Sequence, residues 1–148
     1  MIIGVLALQG NFRMHQAILS SIGVSSILVR YPHQLDRCNG LIIPGGESTT
    51  ISKLLDSHNL RLPIIKYSKT NSIFGTCAGM ILLSSNLSDS KLKTLSIMDY
   101  EVDRNAWGSQ IFSFSKEIQI NLPLSETSSF FATFIRAPKV TSVSKSII

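Results

Sequence analysis

One cysteine in this chain stands in a pattern that is typical of a nucleophile. Cys77 lies in Gly75-Thr76-Cys77-Ala78-Gly79, where a short apolar run ends and a helical segment begins. In a nucleophile elbow a strand enters a helix through a tight turn, and glycines two residues to either side are needed because side chains there would collide with neighbouring backbone. Such a turn strains the backbone of the nucleophile. The pattern therefore predicts a strained, reactive cysteine.

The position of Cys77 ahead of a helix adds a second chemical property. Backbone N–H groups at a helix N-terminus and the helix dipole favour a thiolate over a thiol. The same N–H groups can stabilise the oxyanion that forms when a sulfur attacks a carbonyl carbon. The alternative is a buried structural cysteine beside a glycine-rich turn, which would be unreactive.

The residues around this turn predict alternating strands and helices. Residues 2–8 are almost purely apolar, as expected of a parallel strand that is buried on both faces. The predicted strands are 2–8, 26–29, 40–44 and 72–75. Helices are predicted from Asn11 as cap to about residue 22, at 49–58 and after Cys77 to about residue 85, and a short amphipathic segment follows Pro63 through Lys69. This alternation implies a doubly wound, mostly parallel α/β sheet.

The helix boundaries carry local signals. Asn11 is placed to cap the first helix, which carries Met14, Ile18 and Ile22 on one face. Ser48 is placed to cap the second helix.

Three predicted strands end in unusual polar or glycine-rich turns, at residues 9–10, 45–48 and 76–79. In doubly wound sheets, ligands bind at the carboxyl ends of the strands. If the three strands are neighbours, the turns converge on one crevice that contains Gln9, Gly46 and Cys77. The sequence thus predicts a site at this edge of the sheet.

The second half of the chain has strand-like segments without the alternating helices of the first half. Strand-like pieces at 97–102, 110–114, 117–120 and 130–135 predict an antiparallel excursion and a return to the main sheet. Arg104 and Arg136 lie near the ends of these pieces. Each is either a surface charge or a planar fork for a carboxylate.

Composition limits the class of protein. With 148 residues, of which 44% are hydrophobic, residues 1–148 are expected to form a single domain. No segment resembles a membrane span or a secretory signal, so a cytoplasmic protein without membrane association is expected. Cys38 and Cys77 lack metal-ligand spacing and are expected to stay as thiols. The net charge of +5 is scattered, which favours a solvated surface over nucleic-acid binding.

Five segments together resemble, in order and spacing, the glutaminase subunit of pyridoxal 5'-phosphate synthase. They are Gly4–Gly10, Leu41–Thr50, Phe74–Gly79, Arg104–Gly108 and Phe134–Pro138. The cysteine elbow alone would fit any class I glutamine amidotransferase or a DJ-1-like protein. The turn at residues 45–50 and the segment at 134–138 are specific to this subunit. Ala106 and Trp107 depart mildly, since the family usually has serine and phenylalanine there.

The resemblance implies a flavodoxin-like class I glutamine amidotransferase fold and hydrolysis of glutamine by Cys77. Ammonia would pass to the synthase (lyase) subunit, and neither a cofactor nor a metal is expected. The oxyanion would be stabilised by the N–H groups of Gly46 and Ala78. The substrate-binding residues that the resemblance implies are Gln9, Gly46, Glu47, Ser48, Arg104, Ile135 and Arg136.

The resemblance is incomplete at the end of the chain. The family continues for several dozen residues through further strands, a His-Pro-Glu segment and a closing helix, so the domain is expected to be C-terminally incomplete. The only histidines, His15, His33 and His58, all precede Cys77. Without the histidine of the triad, turnover should fall by orders of magnitude. The alternative function is therefore an inactive remnant that at most binds the synthase subunit.

Overall fold

The computed structural model describes residues 1–87, 92–104, 106, 113–120, 128–135 and 137–145. The helices are α1 (Phe12–Ser21), α2 (Ser48–Ser57), α3 (Arg61–Tyr67) and α4 (Ala78–Leu83), with a 3₁₀ helix at Pro32–Arg37. The first strands are β1 (Ile2–Leu6), β2 (Ser25–Val29), β3 (Gly40–Ile43) and β4 (Ser72–Gly75). The later strands are β5 (Ser84–Leu87), β6 (Met98–Asp103), β7 (Phe114–Ile120), β8 (Ser128–Phe134) and β9 (Lys139–Val143).

Strands β1 to β4 form one parallel sheet in the order β2-β1-β3-β4. Gly4 pairs with Leu41, and Leu41 pairs with Ile73, so β1, β3 and β4 are neighbours. The predicted adjacency of these three strands is confirmed. Because the strands are parallel, the residues that follow them all emerge at the same edge of the sheet.

The core lies between this sheet and helices α2 to α4. Leu55, Leu60, Ile64 and Leu82 are fully buried there. Helix α1 differs, because none of its residues is buried and its apolar face stays more than half exposed. The residues of that face are Met14, Ile18 and, just after the helix, Ile22.

A buried arginine fastens the later chain to α2 and α3. Arg61 is 5% exposed, and its guanidinium donates to the Asp56 carboxylate at 2.6 and 3.0 Å. It also donates to the backbone carbonyl and hydroxyl oxygens of Ser52 and to the carbonyl oxygens of Lys93 and Thr94. Arg61 is thus a structural hub that joins the two halves of the chain.

The strands after α4 do not extend the four-stranded sheet among the described residues. Strands β5, β6 and β9 form a second sheet, with β5 parallel and β9 antiparallel to β6. Strands β7 and β8 form an antiparallel hairpin, and the rings of Phe114 and Phe134 stack across it. The predicted antiparallel pairing is confirmed, whereas the predicted return to the main sheet is absent from this part of the structure.

Several predicted boundaries were wrong. Helix α4 ends at Leu83 and β5 begins at the next residue, although the sequence pattern continued the helix to about residue 85. Helix α3 begins at Arg61, ahead of the proline that was expected to precede it. Asn11 occupies the N-cap of α1, but its side chain makes no capping hydrogen bond. None of the helices in the described chain is long and apolar enough to span a bilayer.

Candidate active site

Cys77 occupies the turn between β4 and α4 in the strained conformation that the glycine spacing predicted. Its φ is 48° and its ψ is −104°, a region that non-glycine residues seldom adopt. A Cβ atom added to Gly79 would overlap the carbonyl oxygen of Ile43, and one added to Gly75 would lie 2.7 Å from the Gly79 carbonyl carbon. Both glycines are therefore required by close approach of backbone.

Backbone hydrogen bonds hold the turn on both sides of the cysteine. The Thr76 N–H donates to the Ile43 carbonyl oxygen at 3.1 Å, and the Thr76 carbonyl oxygen accepts from Gly79 at 2.8 Å. The Ile81 N–H donates to the Cys77 carbonyl oxygen at 3.1 Å. Cys77 itself is exposed and unpaired, which excludes a buried structural cysteine at this position; the buried thiol is Cys38.

The turn after β3 lies directly against the cysteine. A Cβ atom added to Gly45 would lie 3.4 Å from the Cys77 Cβ, and one added to Gly10 would overlap the Gly45 carbonyl oxygen. That oxygen also accepts a hydrogen bond from the Asn11 N–H at 2.9 Å. The three turns predicted to converge thus meet at one edge of the sheet, and the φ of 95° at Gly10 requires glycine there.

Gln9 supports the turn after β3. Its Oε1 accepts a hydrogen bond from the Glu47 N–H at 2.9 Å. A Cβ atom added to Gly46 would lie 2.5 Å from the same oxygen. The Gln9 side chain therefore lies over the Gly46–Glu47 peptide and fixes its position, while Gly46 itself is exposed.

Glu47 caps α2, a role that the sequence pattern had assigned to Ser48. Its carboxylate accepts hydrogen bonds from the N–H groups of Thr49 and Thr50, at 3.0 and 2.6 Å, and from the Thr50 hydroxyl. The hydroxyl bond, followed by the backbone bonds, lowers the pKa of Glu47 to about 2 despite an opposing effect of burial. Ser48 is the first residue of the helix and is 4% exposed. The expectation for the Ser48 cap was wrong because the longer side chain of Glu47 reaches two free N–H groups at once.

The residues expected to bind a substrate carboxylate come from the later strands. Arg104 follows β6, and its Nη2 donates to the Thr49 hydroxyl oxygen at 3.3 Å, in the first turn of α2. Ile135 follows β8 and is 53% exposed. Arg136 lies outside the described residues. The structure thus brings Arg104 to the helix that starts at the Gly45–Gly46 turn.

His15 contacts the cysteine turn, which the sequence analysis missed. Its Nε2 lies 3.2 Å from the Thr76 hydroxyl oxygen, and burial lowers its pKa below the usual 6.5. In contrast, His33 stacks on Tyr31, and His58 bonds within its own helix region to Leu54 and Ser57. A signal was present, since His15 lies one turn into the helix that follows β1 at the same edge of the sheet.

This arrangement can support nucleophilic attack on a carbonyl carbon. It places an exposed sulfur next to the turn that carries Gly46 and immediately before Ala78, whose N–H begins α4. Within the described ranges, no cluster of three or more histidine, cysteine or carboxylate groups could hold a metal ion. The exposed sulfur and the adjoining turn suit the chemistry of a nucleophilic thiol.

The sequence matches the SNO glutamine amidotransferase family over residues 5–148. It is 49% identical to the pyridoxal 5'-phosphate synthase subunit PdxT of Desulforamulus reducens over 148 residues, covering 99% of this chain and 78% of that protein. It is 48% identical to the PdxT of Chloroflexus aurantiacus over 147 residues, which cover 97% of this chain and 76% of that protein.

Solved structures agree with this match. A crystal structure of a glutamine amidotransferase superposes with a TM-score of 0.88 at 36% identity, covering 98% of this chain and 76% of that chain. The structure of PurLQS from Thermotoga maritima superposes with a TM-score of 0.69 at 14% identity, covering 97% of this chain and 70% of that chain. The second likeness supports the fold alone.

Proposed function

Since the chain belongs to the SNO glutamine amidotransferase family, we propose that it is the glutaminase subunit of a pyridoxal 5'-phosphate synthase. It hydrolyses glutamine to glutamate and ammonia, and the ammonia passes to the synthase subunit. Residues 1–148 act as one amidotransferase domain. The observation that carries the proposal is the strained, exposed Cys77 against the Gly45–Gly46 turn.

The reaction begins with attack by the Cys77 sulfur on the side-chain amide carbon of glutamine. The carbonyl electrons move to oxygen, and the N–H groups of Gly46 and Ala78 donate to that oxyanion. Collapse of the intermediate breaks the C–N bond, the nitrogen takes up the proton that the Cys77 thiol gave up and leaves as ammonia, and a thioester remains. Water then hydrolyses the thioester to glutamate and regenerates the thiol.

Substrate recognition rests on residues around this centre. Gln9 fixes the Gly46–Glu47 peptide, and Glu47 and Ser48 border the bound glutamine at the start of α2. Arg104, together with Ile135 and Arg136, recognises the polar head of the amino acid. A guanidinium is suited to this task because it pairs with a carboxylate through two parallel hydrogen bonds.

A second candidate is a chain that binds the synthase subunit without turning over glutamine. The three histidines among these 148 residues all precede Cys77. His15 contacts Thr76, while His33 and His58 have partners in their own neighbourhoods. Reactivity of the thiol toward glutamine analogues is common to both candidates, whereas release of glutamate is not.

The release of glutamate separates the two candidates, and the glutamine site that they share is tested by labelling with a chloroketone analogue of glutamine, in which the Cys77 sulfur displaces chloride. Mass spectrometry should find one adduct, on Cys77, and excess glutamine should slow its formation. Cys38 is the internal control, because it is buried and should stay unlabelled. Labelling of Cys77 that glutamine does not slow would contradict a glutamine site.

A further inference from the structure

One side-chain contact joins helix α1 to the cysteine turn. The Nε2 of His15 and the hydroxyl oxygen of Thr76 lie 3.2 Å apart, although 61 residues separate them in the sequence. Within the described ranges, this is the only hydrogen bond that a side chain makes to residues 75–79. The other bonds to that turn come from backbone groups.

Thr76 is therefore held at three points. Its N–H and its carbonyl oxygen are bonded to Ile43 and Gly79, and its hydroxyl is bonded to His15. The next residue, Cys77, has a φ of 48°, and strained conformations of this kind persist only where the surroundings fix them. Among the hydrogen bonds of the described residues, the hydroxyl contact is the one that reaches the turn from α1.

The same helix also holds the opposite side of the site. The Asn11 N–H, just before α1, donates to the Gly45 carbonyl oxygen at 2.9 Å. Position Gly45 is also close to the threonine, since a Cβ atom added there would lie 3.7 and 4.0 Å from the Thr76 carbonyl and hydroxyl oxygens. Residues 11–15, at the N-terminal end of α1, thus contact both the turn that carries the nucleophile and the turn that carries Gly46.

We infer that His15 is a positioning residue of the glutaminase site, which sets the separation between the Cys77 sulfur and the oxyanion-binding turn by holding Thr76. This inference rests on the proposed function. The described contact of His15 is with the threonine hydroxyl, so its effect on Cys77 is exerted through Thr76. The bond to Thr76 supports this role, and the backbone bond from Asn11 to Gly45 holds the other turn beside it.

If His15 has this role, two thiol reagents should respond differently to loss of its contact with Thr76. Iodoacetamide needs only an accessible sulfur, whereas a chloroketone analogue of glutamine also needs its carbonyl oxygen placed on the oxyanion-binding turn while the sulfur attacks. Loss of the His15 contact should therefore slow the second reagent and leave the first nearly unchanged. A role in folding alone would affect both reagents and the melting temperature together.

The experiment compares His15→Leu, which removes the hydrogen bond, with His15→Gln, which retains one. The Leu variant should react with the chloroketone about fivefold more slowly, the factor expected for one lost hydrogen bond, and with iodoacetamide at the wild-type rate. The Gln variant should recover most of the chloroketone rate. Arg13→Ala, an exposed change on the same helix, is the matched control and should leave both rates unchanged.

A second pair of variants protects the test against misfolding of the His15 variants. Thr76→Val removes the hydroxyl at nearly constant volume, and Thr76→Ser keeps it. The Val variant should match His15→Leu, and the Ser variant should match wild type. Equal chloroketone rates in wild type, His15→Leu and Thr76→Val would overturn the inference while leaving the proposed function standing. Failure of wild type to show glutamine-protected labelling would instead reject the proposed function.

Discussion

The first 83 residues and the described residues from 84 onward, here the parallel region and the later region, are built differently. The parallel region contains four neighbouring strands, and its core residues such as Leu55 and Leu82 are fully buried. The later region has two small sheets, and it leaves Phe130 and Phe131 57% and 70% exposed and every residue of β9 exposed. This difference indicates that the two regions have different tasks.

The proposed chemistry belongs entirely to the parallel region. Cys77, Gly46 and their supports Gln9 and His15 all lie within it. The groups proposed to recognise the polar head of glutamine, namely Arg104 with Ile135 and Arg136, come from the later region. Reactivity of the thiol and recognition of the substrate should therefore respond to different mutations.

The largest expected effect is on glutamate release, which should be slow although Cys77 is still labelled by a glutamine analogue. With the synthase subunit added, these 148 residues alone should release glutamate at a rate about 10²–10⁴-fold below that of a glutaminase with a general base, because the described contacts of the three histidines are with Thr76, Tyr31 and Leu54 rather than with the cysteine sulfur. Labelling by a chloroketone analogue should still occur. An enzymatic glutamate assay with and without the synthase subunit checks this, and strong partner-stimulated release would contradict it.

A methyl group at Gly79 should unfold the parallel region. The added Cβ in Gly79→Ala would overlap the Ile43 carbonyl oxygen, so the free energy of unfolding should fall by about 3 kcal/mol or more. Gly23→Ala is the control, because it meets nothing within 4 Å and loses only about 1 kcal/mol from its φ of 74°. Urea unfolding measures both, and equal losses would argue against close packing at the turn.

Removing the hydrogen bonds that hold the later region should destabilise the fold less than the Gly79→Ala change. Arg61→Met removes the guanidinium that bonds Asp56, Ser52 and two later carbonyl groups, and should lower the free energy of unfolding by about 2–3 kcal/mol. Lys93→Met is the control, since its ion pair with Asp56 is 3.4 Å long and the lysine is exposed, so it should cost less than about 1 kcal/mol. Thermal melts measure the loss of stability in both variants. A loss in Lys93→Met as large as that in Arg61→Met would show that the Arg61 hydrogen bonds are not a main source of stability.

The smallest effect concerns pH. Because the pKa of Glu47 is lowered from 4.5 to about 2, its cap should stabilise the fold fully above pH 4.5 and lose that stabilisation as pH falls toward 2. Glu47→Gln keeps the capping acceptor but does not titrate in this range. Urea midpoints measured from pH 6 to pH 2 should fall more steeply for wild type than for this variant, and parallel curves would refute the assignment.

Local signals in the sequence were enough for the parallel region. Short apolar runs of four to seven residues predicted the strands, and the spacing of Gly75 and Gly79 predicted the strained cysteine, because both signals come from residues that are neighbours in the sequence. The adjacency of β1, β3 and β4 followed from the need to bring three turns together.

What the sequence did not predict depends on contacts between distant segments. The bond between His15 and Thr76 spans 61 residues, and no periodicity reports it. The choice of Glu47 over Ser48 as the cap depends on the path by which the chain enters α2. Strands β5 and β9 lack the apolar runs of strands such as β1 and β3, and tertiary pairing with β6 defines them.

A paired labelling measurement on Arg104→Ala decides whether chemistry and recognition are separate. Iodoacetamide should modify Cys77 within twofold of the wild-type rate, because the variant leaves the parallel region intact. The chloroketone analogue should react about tenfold or more slowly and lose its protection by glutamine, since a charged hydrogen-bond partner of the substrate is gone. Equal slowing of both reagents would contradict the separation and would make Arg104 part of the structure that holds Cys77.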